Sequence, residues 1–292
     1  MKILTLNTHS LVEEHYEEKL AQFAAFIQKE QPDILALQEV NQSVSAPLAD
    51  PAQLPGYMPC EGNDIPVRSD NHAARTAQLL HKGGFPYFWT WLPAKIGYDR
   101  YDEGMAIFSR KPISQIDGFF ISKGQDYQNW RTRKTLGIRP KGSDNWYYTV
   151  HMGWWSDPDE PFQAQWQKLA YHLQSRKETG TVWLMGDFNS PAEVRAQGYD
   201  CICRSGWYDT WALAEEKDNG ITVDGVIDGW RELLKEDAKN VTGMRIDHIW
   251  CSSQANVQRS RVIFNGTQEP VIYDQFGVLI EATNPTNFEK ER

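Results

Sequence analysis

Four polar residues stand where an apolar run stops: Asn7 after ILTL, Glu39 after ILALQ, His151 after WYYTV and Asp187 after TVWLMG. Strand ends hold side chains rigidly yet let them leave the core and converge, so such residues can build one site. A carboxylate can hold a hard cation or take a proton from water, an imidazole moves protons near neutral pH, and an amide donates to an oxyanion. Together they are less easily dismissed as structural. Taken singly, each is more often a cap or a solvated loop residue.

The elements that must position these residues are partly legible. A strand over 3–7 precedes a helix over 14–29, in which Tyr16, Leu20, Phe23 and Ile27 recur at spacings of four, three and four. A buried strand over 33–38 follows Pro32 and ends on Glu39, giving a β-α-β opening. Residues 41–70, rich in Pro, Asp, Ser and Gly without a period, read as a long excursion beside the site. A helix is expected over 71–81, stopped by Gly83 and Gly84, then strands over 87–91, 105–109 and 146–151. Phe162, Trp166, Leu169 and Leu173 mark one face of a helix over 161–177, and strands are expected over 181–185, 245–251, 257–264 and 276–281. No internal repeat or linker-like stretch interrupts 1–292, which reads as a single α/β domain.

Lys and Arg number 30 against 39 Asp and Glu, a formal charge of −9. A protein gripping nucleic acid by its phosphates would have to concentrate basic residues locally, so nucleic acid is a disfavoured partner and a small phosphorylated molecule a favoured one. No run of eighteen apolar residues indicates a membrane helix, and the opening MKILTLN lacks a signal peptide's apolar stretch, so a soluble cytoplasmic protein is expected. Cys60, Cys201, Cys203 and Cys251 are too few and scattered for a disulfide framework.

Seven segments resemble, in order, the motifs of the endonuclease/exonuclease/phosphatase superfamily. They are LNTHS with Asn7, LQEVN with Glu39, YDEGMAIFSR with Glu103, VHMGWW with His151, GDFNS with Asp187 and Asn189, RIDHIW with Asp247, and YDQFGV with Asp274. The resemblance implies a DNase I-like fold, a four-layer α/β/β/α sandwich of two packed mixed sheets flanked by helices. It implies a phosphoric ester hydrolase dependent on magnesium, with manganese as the alternative ion. Glu39 would ligate the metal, supported by Asn7 and Asp274, while Asp187 would orient or deprotonate the attacking water and Asn189 would donate to a phosphoryl oxygen. His151 would be oriented by Glu103 and favoured in its protonated form; without such neighbours it would read as a satisfied core histidine.

The family's usual Ser-Asp-His reads Tyr273, Asp274, Gln275 here. In the family that histidine, held by an aspartate matching Asp247, contacts the scissile phosphate. A glutamine amide still donates a hydrogen bond but carries no charge and moves no proton, a loss worth roughly a hundredfold in rate. His248, adjacent to Asp247, points to the opposite face of its strand and reads as structural.

The shared site does not choose the substrate. The stretch KIGYDRYDEGMAIFSR and the tryptophans after His151 resemble a bacterial branch that includes maltose 6'-phosphate phosphatases, which implies phosphate release from a sugar phosphate. Sugar rings pack apolar faces on indoles, so Trp154, Trp155, Tyr98 and Tyr101 are candidates for a sugar pocket, although most of the 12 tryptophans must be structural. Arg131 and Arg133 are candidate phosphate clamps or part of an ordinary charged surface. Two further readings stay open: a DNA-directed nuclease, and a phosphosugar-binding protein whose catalysis lapsed with Gln275.

Overall fold

The structure, a computed structural model, describes residues 1–225 and 243–283. Strand β1 (Lys2–Asn7) and strand β2 (Ile34–Ser43) lie parallel, joined by helix α1 (Tyr16–Glu30). Beyond β2 come strands β4 (Tyr101–Ser109) and β3 (Phe88–Gly97), with helix α2 (His72–Lys82) preceding β3 in the chain. On the other flank of β1 lie β15 (Gly277–Thr283), β14 (Asn256–Ile263) and the short β10 (Glu216–Lys217), which completes a seven-stranded sheet. The second sheet runs β5 (Ile113–Phe120), β6 (Lys134–Pro140), β7 (Trp146–His151), β8 (Val182–Asp187), β13 (Asp247–Cys251) and β9 (Tyr208–Asp209). Helices α3 (Phe162–His172), α4 (Gln174–Thr179), α5 (Gly198–Arg204) and α6 (Thr210–Leu213), a ribbon of β11 (Val223–Asp224) with β12 (Gly243–Met244), and two 3-10 turns (Ser10–Val12 and Pro51–Gln53) complete the described elements.

Strand alternation sorts the side chains into layers. Leu4 and Leu6 of β1 and Leu35 and Leu37 of β2 pack with Phe23, Ala24 and Ile27 of α1. Their neighbours Ile3, Ile34 and Ala36 face the other way and meet Trp183, Met185 and Ile249 of the second sheet. On the far face of that sheet, Tyr148, Val150 and Leu184 pack with Phe162, Trp166 and Leu169 of α3. Three apolar cores thus separate helix, sheet, sheet and helix, the sandwich expected from the sequence.

Several boundaries moved. The expected strand end at Glu39 is an irregularity inside β2: pairing with β4 shifts between Leu37 and Val40 and then resumes to Ser43. Glu39 takes a left-handed φ of 51°, which lets the chain step sideways and continue. The helix over 161–177 is two, because the chain leaves helical pairing at Leu173, itself buried in the third core. Residues 44–70 do not border the site; Ala49, Leu54, Tyr57 and Ile65 pack on the α1 and α2 side of the first sheet, and Asn71 ends the excursion by capping α2 through Ala74 N–H at 3.0 Å. Strands β5 and β6 have no counterpart in the sequence reading. β5 lies at the end of its sheet and keeps its middle residues exposed or half-buried, so it carries little apolar pattern.

One glycine controls the approach to Asp187. Gly186 has φ 146°, and a Cβ there would sit 2.0 Å from the Val150 carbonyl oxygen of the neighbouring strand. Gly186→Ala is therefore expected to cost about 2 kcal/mol or more of folding stability, read as a lowered urea midpoint at unchanged slope. A stability equal to that of the parent would show that β7 and β8 can separate without cost.

Candidate active site

The ends of the central strands deliver side chains from both sheets to one cavity of about 700 Å³. Asn7 ends β1, while His151 and Asp187 end β7 and β8 as direct parallel partners, and Asp247 opens β13 opposite Asp187. Glu39, Glu103, His151, Asp187, Asn189, Asp274 and Gln275 all line the cavity. Three residues of the cavity wall, Glu39, Tyr98 and Asn189, take left-handed φ of 51°, 50° and 44°, and His9, hydrogen-bonded to Tyr98, takes 45°. Such conformations persist where surrounding contacts over-determine them, as at binding sites.

Asp187 is held from three directions. Its Oδ1 accepts the Asn189 backbone N–H at 2.8 Å, and its Oδ2 accepts amide N–H groups from Asn7 at 3.2 Å and Gln275 at 3.1 Å. His151 Nε2 lies 3.9 Å from the same Oδ2. Burial raises the Asp187 carboxyl above its usual range, and the donors pull it back. The Asn189 side chain is likewise fixed, its Nδ2 donating to the Met152 carbonyl at 2.9 Å and its Oδ1 accepting from Trp154 Nε1 at 3.3 Å. One N–H of that amide is left for a ligand.

The acidic wall suits a divalent cation. Glu39 accepts from Asn7 Nδ2 at 2.9 Å, and burial, with Glu103 and Asp274 nearby, pushes its carboxyl up to about 7. Asp274 at the cavity mouth is raised as well, first by burial. Crowded hard-oxygen donors with no salt-bridge partner among the described residues fit such an ion, and Glu39 and Asp274 are the residues that could hold it. Asn7 turns its amide nitrogen to both carboxylates, which orients Glu39 and Asp187, while its oxygen accepts His9 N–H at 3.3 Å and keeps a second lone pair. Beside Asp274, His9 and Glu13 join it in a trio whose ligand atoms all lie within 4.8 Å of one another, a cluster missed in the sequence because His9 follows Asn7 in a tight turn.

Facing the acids are two buried cations. Lys95 pairs with Glu103 at 3.0 Å and donates to the Trp130 carbonyl at 3.1 Å. Arg133, 7% exposed, donates from Nη1 only to the carbonyls of Trp130 at 2.8 Å and Thr132 at 3.3 Å, and its Nε is buried without a partner. Among the described residues no carboxylate lies within 4.0 Å of Arg133. Burial, then Arg133 and Lys95, hold His151 well below the usual histidine value. The expected Glu103 to His151 pairing and a protonated His151 are therefore corrected: Glu103 is engaged by Lys95, and two neighbouring positive charges favour the neutral ring.

Other expectations divide. Tyr98, Trp154 and Arg133 line the cavity; Trp155 packs toward Phe162 with ring centres 6.0 Å apart, and Tyr101 is buried with its hydroxyl donating to the Leu11 carbonyl at 3.3 Å. Arg131 is directed to Asp157 at 2.8 Å and Asp159 at 3.8 Å. Asp247 is buried behind Asp187, its carboxyl raised well above the usual range by burial and by Asp187, and the Gln275 donor goes to Asp187 instead. His248 turns from the cavity to Phe188 and Trp250, as alternation requires. Lys95 and Trp130 were missed, though a lysine inside the apolar FWTWLPAKIG was a signal.

The chain matches the Endonuclease/Exonuclease/phosphatase family over residues 4–267. An endonuclease/exonuclease/phosphatase family protein from Leptotrichia buccalis is 30% identical, with 97% of this chain and 99% of that one covered at a TM-score of 0.81. The chain belongs to this family. Two more distant structures share the fold: a mannosyl-6-phosphatase from Bacteroides thetaiotaomicron, 16% identical over 97% and 99% of the two chains with TM-score 0.60, and a 3' phosphatase from Neisseria bound to product DNA hairpin, 19% identical over 97% and 99% with TM-score 0.61. A comparison with curated proteins finds no match. Family members are hydrolases, phosphatases among them, and generally depend on a divalent metal. Among the described residues no helix is long and apolar enough to cross a membrane.

The raised Glu39 carboxyl has a signed consequence. Its folded value of about 7 exceeds the ordinary 4.5, so the folded state binds the extra proton between them and stability falls as pH rises through that window. In chelator, urea titrations at pH 5 and pH 8 should show this loss, and Glu39→Gln should remove a part on the order of 1–3 kcal/mol. Magnesium added at pH 8 should restore stability to the parent and not to Glu39→Gln. An identical pH slope in the two proteins would disprove the assignment.

Proposed function

We propose that the chain is a magnesium-dependent phosphomonoesterase acting on a small phosphorylated sugar. The observation that carries the reading is Arg133, a buried guanidinium with no carboxylate partner among the described residues, next to Lys95 and on the wall of a cavity that also holds Asp187, Asn189 and His151. A buried unpaired charge is costly unless an anion completes it, and a terminal phosphoryl group, doubly charged near neutral pH, suits two cations. The formal charge of −9 weighs against a protein that binds polynucleotide through its backbone phosphates. The two distant fold relatives, one named for a sugar phosphate and one for DNA, do not decide between these.

In this reading Arg133 and Lys95 hold the phosphoryl oxygens, and the free N–H of Asn189 adds a fixed donor where charge grows during bond breaking. Asp187, directed by three donors, orients the attacking water and accepts its proton; its raised carboxyl value makes it a better base than an exposed aspartate. Neutral His151 beside Asp187 can take up or pass a proton. Glu39 and Asp274 would hold the ion, which when bound supplies Lewis-acid stabilisation of the phosphoryl and leaving oxygens. Gln275 keeps Asp187 in place.

Phosphate release measured over sugar phosphates, nucleotides and DNA tests the assignment. Sugar phosphates should be turned over, EDTA should abolish the activity, and Asp187→Ala should lower kcat by roughly a thousandfold. Consumption of DNA with no sugar phosphate hydrolysed would overturn it. Since Gln275 donates to Asp187, Gln275→Ala should cost about tenfold in kcat and Gln275→His should not exceed the parent. A faster histidine variant would mark the glutamine as a plain loss.

A further inference from the structure

We infer that Trp130 and Trp154 form the leaving-group subsite of the cavity, a joint indole wall on which one face of the ring of a pyranose phosphate packs, with Trp130 setting a preference for a closed ring over an open chain. The inference rests on the phosphomonoesterase reading and specifies which part of the ester the rim recognises.

Both indoles line the cavity. Their ring centres are 5.9 Å apart and their planes inclined by 57°, a tilted pair in mutual contact that makes one apolar wall. A pyranose ring presents a face of C–H groups that can pack on such a wall. Trp130 also stays 46% exposed, a large apolar surface left to water beside a charged floor, which is how a contact surface differs from a core anchor.

The exposed indole is braced. The Arg131 guanidinium lies 4.3 Å from its ring centre and is itself fixed by Asp157 at 2.8 Å, which gives Arg131 a role although it does not face the cavity. The Trp130 carbonyl accepts from Lys95 Nζ at 3.1 Å and Arg133 Nη1 at 2.8 Å. The cations assigned to the phosphoryl group thus also hold the backbone that carries the indole. Trp154 is anchored to the other side of the reaction centre through Asn189 Oδ1 at 3.3 Å. Ring and phosphate are therefore read by one preorganised unit, which lowers the ordering cost of binding an ester that satisfies both.

Glucose 6-phosphate and sorbitol 6-phosphate carry the same primary phosphate on a closed and an open carbon chain. Steady-state kinetics of both should show the parent favouring the ring about tenfold in kcat/KM, mainly through KM. Trp130→Ala should raise KM for glucose 6-phosphate about tenfold and bring the preference near unity, while Trp130→Phe keeps most of it. The competitive inhibition constant of inorganic phosphate, which reads the floor alone, should stay within about twofold in Trp130→Phe. A parent without ring preference, or a Trp130→Ala that keeps it or raises both KM values equally, would overturn the subsite and leave the phosphomonoesterase reading standing. A parent that hydrolyses neither ester while consuming DNA or nucleotides would remove both.

Discussion

One primary amide joins the two sheets at the floor of the cavity. Asn7 Nδ2 has two N–H groups and gives one to Glu39 of its own sheet, at 2.9 Å, and one to Asp187 of the facing sheet, at 3.2 Å. Each carboxylate is thereby placed relative to the other, and loss of the amide would leave both short of a donor in a buried setting. The bridge can form only because the layer beneath it keeps the sheets in register. Gln38 Nε2 crosses the same gap to Thr149 Oγ1 at 2.8 Å and returns to Thr5 Oγ1 at 3.1 Å, all three side chains fully buried. Gly186 lets Val150 and Gln38 approach closely enough for this seam to close.

The cavity built on that bridge is electrostatically unfinished in two opposite ways. Glu39, Asp187 and Asp274 are all raised by burial, and Lys95, Arg133 and His151 are all lowered by it. Glu103 and Lys95 neutralise one another at 3.0 Å, which leaves acidic Glu39 and Asp274 on one side and cationic Arg133 on the other. A chain selected for stability alone would fill these positions with apolar residues. On the proposed reading, a site that receives a cation and a phosphoryl anion together has reason to keep the two charges apart and largely shielded, since low local polarity strengthens each contact once it is made.

What was legible in the sequence follows from the range of the interactions. Apolar runs in β1, β2, β7 and β8 announced themselves because both faces of these central strands are buried, so Asn7, His151 and Asp187 could be placed at strand ends from composition alone. The bulge at Glu39 was hidden, because a left-handed residue other than glycine has no reliable signature. Partner choice was the hardest to foresee. Glu103 is taken by Lys95 from the adjacent strand, and Arg131 is taken by Asp157, 26 positions away in the chain. Local composition assigns both arginines of NWRTRK to one role, yet Arg133 is buried on the cavity wall and Arg131 braces an indole.

Gln275 shows how a site absorbs a change that looks damaging in the sequence. Its amide no longer serves Asp247, whose carboxyl is raised well above the usual range by burial and by Asp187 and so favours the neutral form. The amide instead donates to Asp187 at 3.1 Å, completing the set of donors that directs that carboxylate. A glutamine cannot supply charge to a phosphoryl group, but Lys95 and Arg133 line the same cavity and can. With those two cations present, a further positive group at position 275 would stand next to Asp187 and compete with the role of base proposed for that carboxylate. Direction without charge is then the more useful property there, and it is what an amide provides.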